Sequence, residues 1–521
     1  MTTRKQSLFI AALSGLLLTG AFPKIGWDWL AWFALVPLLY TLKDNNAGAG
    51  FRLGFITGLI HFLTLLYWLV PVMRTYGYLP AYLSISILFL FAAVLALFVA
   101  SFAAILSRFG KTPVRCLILI PLLWVALEYL RSFIFTGFPW ELLGYSQFNR
   151  LQLIQISDIL GVYGVSALIA LVNGTVLITL LYVTKRRWLN TEISKRLAAG
   201  AISALILAIA LCGSYGHWRL RTIDRQIAIS PKTRIAVVQG NIDQAVKWDP
   251  AFQIDTVKKY NRLSSSIMDQ DPDLIVWPES ATPFYFLYDI KPTELVFEGI
   301  QRAATDFLIG SPSFVQSNDQ VRYFNSAYLI RPSTKQMSKY DKTHLVPFGE
   351  YVPLKKWLPF LGKMVAQVGD FKAGQEGKTL LWKSDHLGVQ ICYEIIFPGL
   401  SRAMAKNNAS LLINITNDAW FGKTSGPYQH FSMTVFRAVE NRRTLIRSAN
   451  TGISGFIDPT GRVLASTALL EEAALVRSVP LIKTKTIYTR IGDLFALGCF
   501  LLAVVLVLLE ITKFALKLKH A

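Results

Sequence analysis

Charge is scarce in this chain: Asp, Glu, Lys and Arg make up only 16% of its 521 residues, against 53% that are apolar. That balance excludes an ordinary soluble protein and points to residence in a membrane. Acidic residues are the scarcer sign, 32 against 53 basic ones. Over residues 1–217 there are 16 Lys and Arg against 6 Asp and Glu, and over the rest 37 against 26. Basic cytoplasmic loops account for the first excess. The second fits either a surface resting on anionic lipid or a merely solvated one. No nucleic-acid-binding motif accompanies it, and a basic balance alone does not make one. Cysteine is rarer still. Of Cys116, Cys212, Cys392 and Cys499, three lie in apolar segments, where cysteine behaves as a small hydrophobe. Only Cys392 lies in the more polar part, which excludes a disulfide there. No Cys/His cluster has zinc-ligand spacing, so no metal is expected, and nothing calls for a cofactor. Internal repeats and low-complexity linkers are also absent.

What is present is a series of apolar runs, near 7–22, 27–42, 53–73, 79–106, 114–134, 163–183, 197–213 and 494–512. Each approaches the roughly 20 residues that cross a bilayer as a helix. Gly58, Pro121 and Gly174 inside them are tolerated in membrane helices. The first run follows Arg4 and Lys5 as a signal peptide would, but no clean A-x-A cleavage site follows it. With the N-terminus inside, the inner loops and the C-terminal tail hold 15 Lys and Arg; the short outer loops hold only Lys24, Arg74, Arg131 and Arg150. The bias predicts a seven-helix transmembrane region over 1–217, an outward-facing domain over 218–490, and a last helix with a cytoplasmic tail over 491–521. In a bacterium the outer side is the periplasmic face of the inner membrane. The loop TGFPWELLGYSQ, with Trp140, Glu141 and Tyr145, reads as an interfacial aromatic belt or as part of a lipid entrance. Glu128 lies near the outer end of its run, and His61 is the main ionisable residue within one.

Residues 218–490 read differently. Short Val/Ile/Leu-rich runs at 234–239, 273–277, 307–310, 326–330, 388–392, 411–416 and 445–449 alternate with helical periodicity, as at 251–268 and 429–443. This pattern predicts a layered α/β domain with buried sheets. Three ends of these runs carry chemistry. DLIVWPES delivers Glu279, YDKTHLVPFGEYVP carries Lys342 and Glu350, and GVQICYE delivers Cys392, Tyr393 and Glu394. A reactive group at the end of a buried strand is held rigidly yet remains accessible. The residue types fit one another. A nearby Lys342 is expected to lower the Cys392 thiol pKa and to hold an oxyanion, and a partly desolvated Glu279, with a raised pKa, to shuttle the proton. Taken singly, each has a plain structural explanation: a packed Cys, a solvated Lys, a capping Glu.

Glu in WPES, Lys in YDKTHLVPFGEYVP and Cys in ICYE, in that order, resemble the Glu–Lys–Cys triad of the nitrilase, or carbon–nitrogen hydrolase, superfamily. With the seven preceding runs, the one following run and the segments QGNIDQAVKWDP, NITNDAWFG and GPYQH, essentially the whole chain resembles the apolipoprotein N-acyltransferase family of the bacterial inner membrane. The resemblance implies a multi-pass helical bundle of about eight transmembrane helices with an αββα sandwich domain on the periplasmic face. It implies acyl transfer from a phospholipid, typically phosphatidylethanolamine, through a Cys thioester to the α-amino group of the diacylglyceryl-cysteine that begins an apolipoprotein. Carried over by motif, Cys392 is the nucleophile, Glu279 the general base and Lys342 the oxyanion-stabilising cation. Glu350 supports the site, and Trp248, Tyr393 and Glu394 are candidates for lining it. A monomer is the default.

Residues 419–422 (AWFG), with Trp420 and Gly422, fit either a lid that keeps water from the thioester or ordinary core packing. Three rival readings stand beside the acyltransferase: a Cys–His hydrolase using His344 or His430, a membrane-tethered amidase acting on a small amide, and a transporter or receptor.

Overall fold

A computed structural model describes residues 3–317, 320–352 and 370–519. The chain divides into two compact units, Met1–Leu220 with Ile491–Ala521, and Arg221–Arg490.

The first unit is helical. Its main helices are α1 (Arg4–Gly20), α2 (Ala47–Leu65), α3 (Ala81–Phe109), α4 (Pro113–Arg131), α5 (Val162–Val183) and α6 (Lys195–Ile229). Thr3 and Gln6 cap the start of α1 reciprocally. Small residues bring the first helices together. A Cβ on Gly54 of α2 would lie 2.5 Å from the Val99 carbonyl oxygen of α3, and one on Gly15 of α1 would lie 2.5 Å from the Thr57 oxygen of α2. Close backbone approach through small side chains is how helices associate where lipid removes the hydrophobic drive.

Among the described residues, six helices are long and apolar enough to cross a membrane: α2 to α6 and the C-terminal helix beginning at Leu494. The expected count of about eight is not confirmed. The first apolar run forms α1, which has 17 residues. The second breaks into a turn at Asp28–Trp32 and a short helix at Val36–Leu42. Asn173 of α5 stabilises the break, accepting from the Leu35 N–H and donating to the Ala31 carbonyl, both at 2.9 Å. Backbone groups freed inside an apolar bundle need such partners.

The second unit contains two six-stranded sheets. Its strands are β1 (Lys232–Gln239), β2 (Leu274–Val276), β3 (Asp306–Ser317), β4 (Gln320–Arg331), β5 (Gln336–Asp341), β6 (Leu380–Trp382), β7 (Asp385–Ile391), β8 (Ala409–Thr416), β9 (Thr444–Ala449), β10 (Gly455–Ile457), β11 (Val463–Ser466) and β12 (Ala473–Pro480). One sheet runs β12-β1-β2-β3-β4-β5 and the other β11-β10-β9-β8-β7-β6. In each, three central strands are parallel and the flanking ones antiparallel. Parallel strands are buried on both faces, and every residue of β2, β8 and β9 is buried. The sheets face each other: the Ser448 hydroxyl of β9 donates to Val238 O of β1 and Val276 O of β2 at 3.2 and 3.0 Å.

Helices cover the outer faces. On the first sheet, α7 (Pro250–Ser265) and α8 (Ile290–Ala303) bury Val257, Tyr260, Val296 and Ile300 against Ile275, Trp277 and Phe307. On the second lie α9 (Pro398–Lys406) and α10 (Gly426–Asn441). The unit is a layered αββα sandwich, as the sequence implied.

The helix packing has a direct test. Gly54→Leu must push α2 and α3 apart and is expected to cost at least about 1–3 kcal/mol, read as a lower thermal midpoint in detergent. Gly200→Leu on α6 has open space for its side chain and is the control.

Candidate active site

Strand β2 ends at Val276, and Trp277–Pro278 carry the chain to Glu279. This turn runs hard against β3. A Cβ on Gly310 would lie 2.4 Å from Pro278 O and 2.7 Å from Glu279 Cα, so only glycine admits it. The Glu279 side chain is almost fully buried. Its Oε1 accepts from Asn325 Nδ2 and its Oε2 from the Asn417 N–H, both at 2.8 Å. Its main-chain carbonyl accepts from Lys247 Nζ at 3.0 Å.

Lys342 follows directly on β5, and its N–H donates to Asn325 O at 2.8 Å. The side chain is 1% exposed. Its ammonium lies 3.0 and 2.9 Å from the two Glu350 carboxylate oxygens and 3.7 Å from Glu279 Oε1. Asn325 Nδ2 donates also to Glu350 Oε1 at 2.8 Å, and the Val346 N–H donates to Glu350 Oε2 at 2.8 Å. One amide group thus ties both carboxylates together. Burial works against the Lys342 charge, but the Glu350 and Glu279 carboxylates outweigh it and hold the ammonium above the ordinary lysine range.

Cys392 comes from the other sheet. Strand β7 ends at Ile391, and Cys392 opens a tight turn with φ of +53°. A non-glycine residue in this left-handed region is strained and must be held there. Asn414 Nδ2 donates to the Cys392 carbonyl at 3.3 Å. Behind it lies a buried charge network. Asp418 accepts from the Thr416 hydroxyl and His430 Nδ1 at 3.0 Å and from Arg447 Nη2 at 2.7 Å, and Arg447 also donates to Asn414 Oδ1.

The sequence led us to expect that Lys342 lowers the thiol pKa. Lys342 does pull it down, but burial and then the Glu279 carboxylate outweigh that pull, and the net shift of the Cys392 thiol is upward. That direction favours the protonated thiol over the thiolate. A thiol is a nucleophile only once its proton leaves, so such a site needs a proton acceptor.

The other candidate residues divide. Glu350 joins the cluster through Lys342. Glu394, a supporting or lining candidate, is fully buried. Its carboxylate accepts from the N–H groups of Ile391, Thr343 and His344 at 2.7, 2.6 and 3.1 Å, and from Tyr340 Oη at 3.0 Å. It therefore ties the Lys342 loop to the Cys392 turn. Tyr393 is half-buried and packs edge-on against Phe397, with ring centroids 5.2 Å apart. Trp248 is 47% exposed and Trp420 is 38% exposed. Gly422 closes the Asp418–Phe421 turn with φ of +56°. Of the two histidines that could partner a cysteine, His430 is engaged with Asp418, and His344 packs at a tilt against Phe397, with ring centroids 3.8 Å apart.

The sequence reading missed Asn325, Lys247, Asn417 and the Asp418–His430–Arg447 network. Asn325 had a visible signal, a lone amide within the β4 run RYFNSAYLI. Lys247 lies in QAVKWDP beside Trp248, where nothing in the sequence distinguishes it from a solvated lysine. Among the described residues no group of three or more His, Cys, Asp and Glu could hold a metal ion.

Comparison with known proteins agrees with both units. The family model described as the apolipoprotein N-acyltransferase N-terminal domain matches residues 14–175, and the carbon-nitrogen hydrolase model matches residues 234–487. The apolipoprotein N-acyltransferase of Geobacter metallireducens is 44% identical, over 95% of this chain and 93% of its own length. That of Pasteurella multocida is 31% identical, over 95% and 93%. Among solved structures, a nitrilase-superfamily amidase from Nesterenkonia AN1 is 20% identical with a TM-score of 0.36, covering 48% of this chain and 93% of its own.

Glu350→Gln keeps the shape of the Lys342 pairing and removes its charge. It is expected to lower kcat by roughly 10–100-fold, as loss of a supporting partner does. KM for the acyl donor is expected to hold, which steady-state kinetics in detergent will read.

Proposed function

Because this chain belongs to the apolipoprotein N-acyltransferase family, we propose that it moves an acyl chain from a phospholipid to Cys392, and from Cys392 to the α-amino group of the diacylglyceryl-cysteine at the start of an apolipoprotein. The observation that carries this reading is the clustering of the Lys342 ammonium with the Glu279 and Glu350 carboxylates, electrostatically coupled to the Cys392 sulfur.

In the first half-reaction Glu279 takes the thiol proton while Sγ attacks the donor's ester carbonyl. Lys342 stabilises the oxyanion that forms. The ester C–O bond breaks, and the lysophospholipid oxygen leaves with the proton from Glu279. In the second half the acceptor ammonium gives up a proton, and its nitrogen attacks the thioester. The C–S bond breaks, the sulfur regains one proton through Glu279, and the other leaves to solvent. A thioester divides one difficult transfer into two easier ones and gives ping-pong kinetics. Trp248 and Trp420 are suited to an apolar mouth that keeps water from the thioester.

Phosphatidylethanolamine as donor, a monomer, and a catalytic unit on the periplasmic side of the inner membrane belong to the same proposal. The surplus of basic residues in the inner loops supports the orientation. Matches over both units favour a membrane-borne substrate over a small amide.

The test is an assay in detergent or vesicles with phosphatidylethanolamine and a diacylglyceryl-cysteine peptide. The wild type should release lysophospholipid and N-acylated peptide in equal amounts. Glu279→Gln, Lys342→Ala and Cys392→Ser should each lose at least about 10²–10³-fold. Ammonia release from a small amide with no acyl transfer would overturn the reading.

A further inference from the structure

Lys247 lies on a single helical turn, Gln244–Lys247, just after β1, with the Asp243 side chain capping the Ala245 N–H at 3.0 Å. It is 1% exposed. A lysine withdrawn this far from water needs a reason, because burial disfavours the charged form. Its ammonium donates to the main-chain carbonyl of Glu279 at 3.0 Å. The same turn reaches the other end of that residue. Gln244 Oε1 accepts from Asn417 Nδ2 at 2.7 Å, and the Asn417 N–H donates to Glu279 Oε2 at 2.8 Å. The Gln244–Lys247 turn thereby fixes both the backbone and the carboxylate of Glu279.

Charge balance gives the second observation. Lys342 is one cation facing two carboxylates, Glu279 and Glu350. Lys247 is a second cation within electrostatic reach of Glu279 and Cys392. When the thiol proton passes to Glu279, negative charge moves from carboxylate to sulfur. A cation that acts on both groups stabilises the pair before and after the transfer.

We propose that Lys247 is a positioning residue for this site: its ammonium fixes Glu279 and supplies the second positive charge on which ionisation of Cys392 depends. This rests on Cys392 being the nucleophile. The ionisable groups acting on Lys247 from neighbouring elements are Glu279, after β2, and Cys392, after β7. On its own segment Asp243 and Asp249 are exposed and spent on helix capping. Burial lowers Lys247 to about 8, against the pull of Glu279 and Cys392. Its charge is therefore present below about pH 8 and is lost as pH rises through that value, whereas Lys342 is held charged well above it.

The test follows Cys392 alone. The full-length protein in detergent is alkylated with iodoacetamide from about pH 6 to pH 10, and the Cys392 peptide is followed by mass spectrometry. Iodoacetamide needs neither lipid nor acceptor, so the result stands apart from that of the acyl-transfer assay. The wild-type profile should break near the Lys247 titration at about 8. Lys247→Met should slow alkylation at neutral pH by roughly tenfold and displace the profile upward by about one unit. Lys247→Arg keeps the charge at every pH used; it should stay within a few-fold of wild type and lose the break. Two results would overturn the proposal: a Met profile that superposes on wild type, or equal displacement by Met and Arg in variants with wild-type thermal midpoints.

Discussion

The catalytic unit depends on one buried cation. The Lys342 ammonium is 1% exposed and is stabilised by Glu350 at 2.9–3.0 Å and Glu279 at 3.7 Å. An unpaired charge at such a place costs several kcal/mol, and removing one partner of a buried pair typically costs about 3–5 kcal/mol. The pairing in turn dictates where the carboxylates lie. Asn325 Nδ2 donates to both, so Glu279, Lys342 and Glu350 form one connected group. A group already oriented needs little reorganisation when charge develops on a substrate carbonyl.

Cys392, the proposed nucleophile, comes from the opposite sheet. Glu279 and Lys342 follow β2 and β5 of the first sheet, and Cys392 follows β7 of the second. Their meeting therefore requires the sandwich to be closed, which the Ser448 bonds to β1 and β2 help to maintain. Glu394 fastens the Lys342 loop to the Cys392 turn, and the Asp418–Arg447 pair braces that turn from behind. Both carboxylates are fully buried and hydrogen-bonded, which makes them costly to disturb. The strain of a positive φ at Cys392 is stabilised by these neighbours.

Much of this was legible in the sequence. Buried parallel strands announce themselves as short apolar runs, and β1, β2, β7, β8 and β9 lie where such runs were read. Glu279, Lys342 and Cys392 stand at or beyond the ends of such runs. What escaped was what depends on tertiary neighbours. Arg437, Arg442, Arg443 and Arg447 are fully buried, yet by composition they read as surface charge. Arg443, for instance, donates to five main-chain carbonyls, among them Ala409 O and Thr484 O, which no spacing rule anticipates. Lys342 pulls the Cys392 thiol down as its motif implies, but the burial that outweighs it is a tertiary property that no motif carries. The break within 27–42 was hidden because the run stays apolar while Asn173, far away in the chain, satisfies its backbone.

Intact-protein mass spectrometry after incubation with phosphatidylethanolamine alone tests the central claim most directly. A thiol that loses its proton to Glu279 should gain one acyl chain, mapped to Cys392, in the wild type and almost none in Glu279→Gln. An acyl chain found on any other residue, or an adduct formed equally well without the Glu279 carboxylate, would contradict the account.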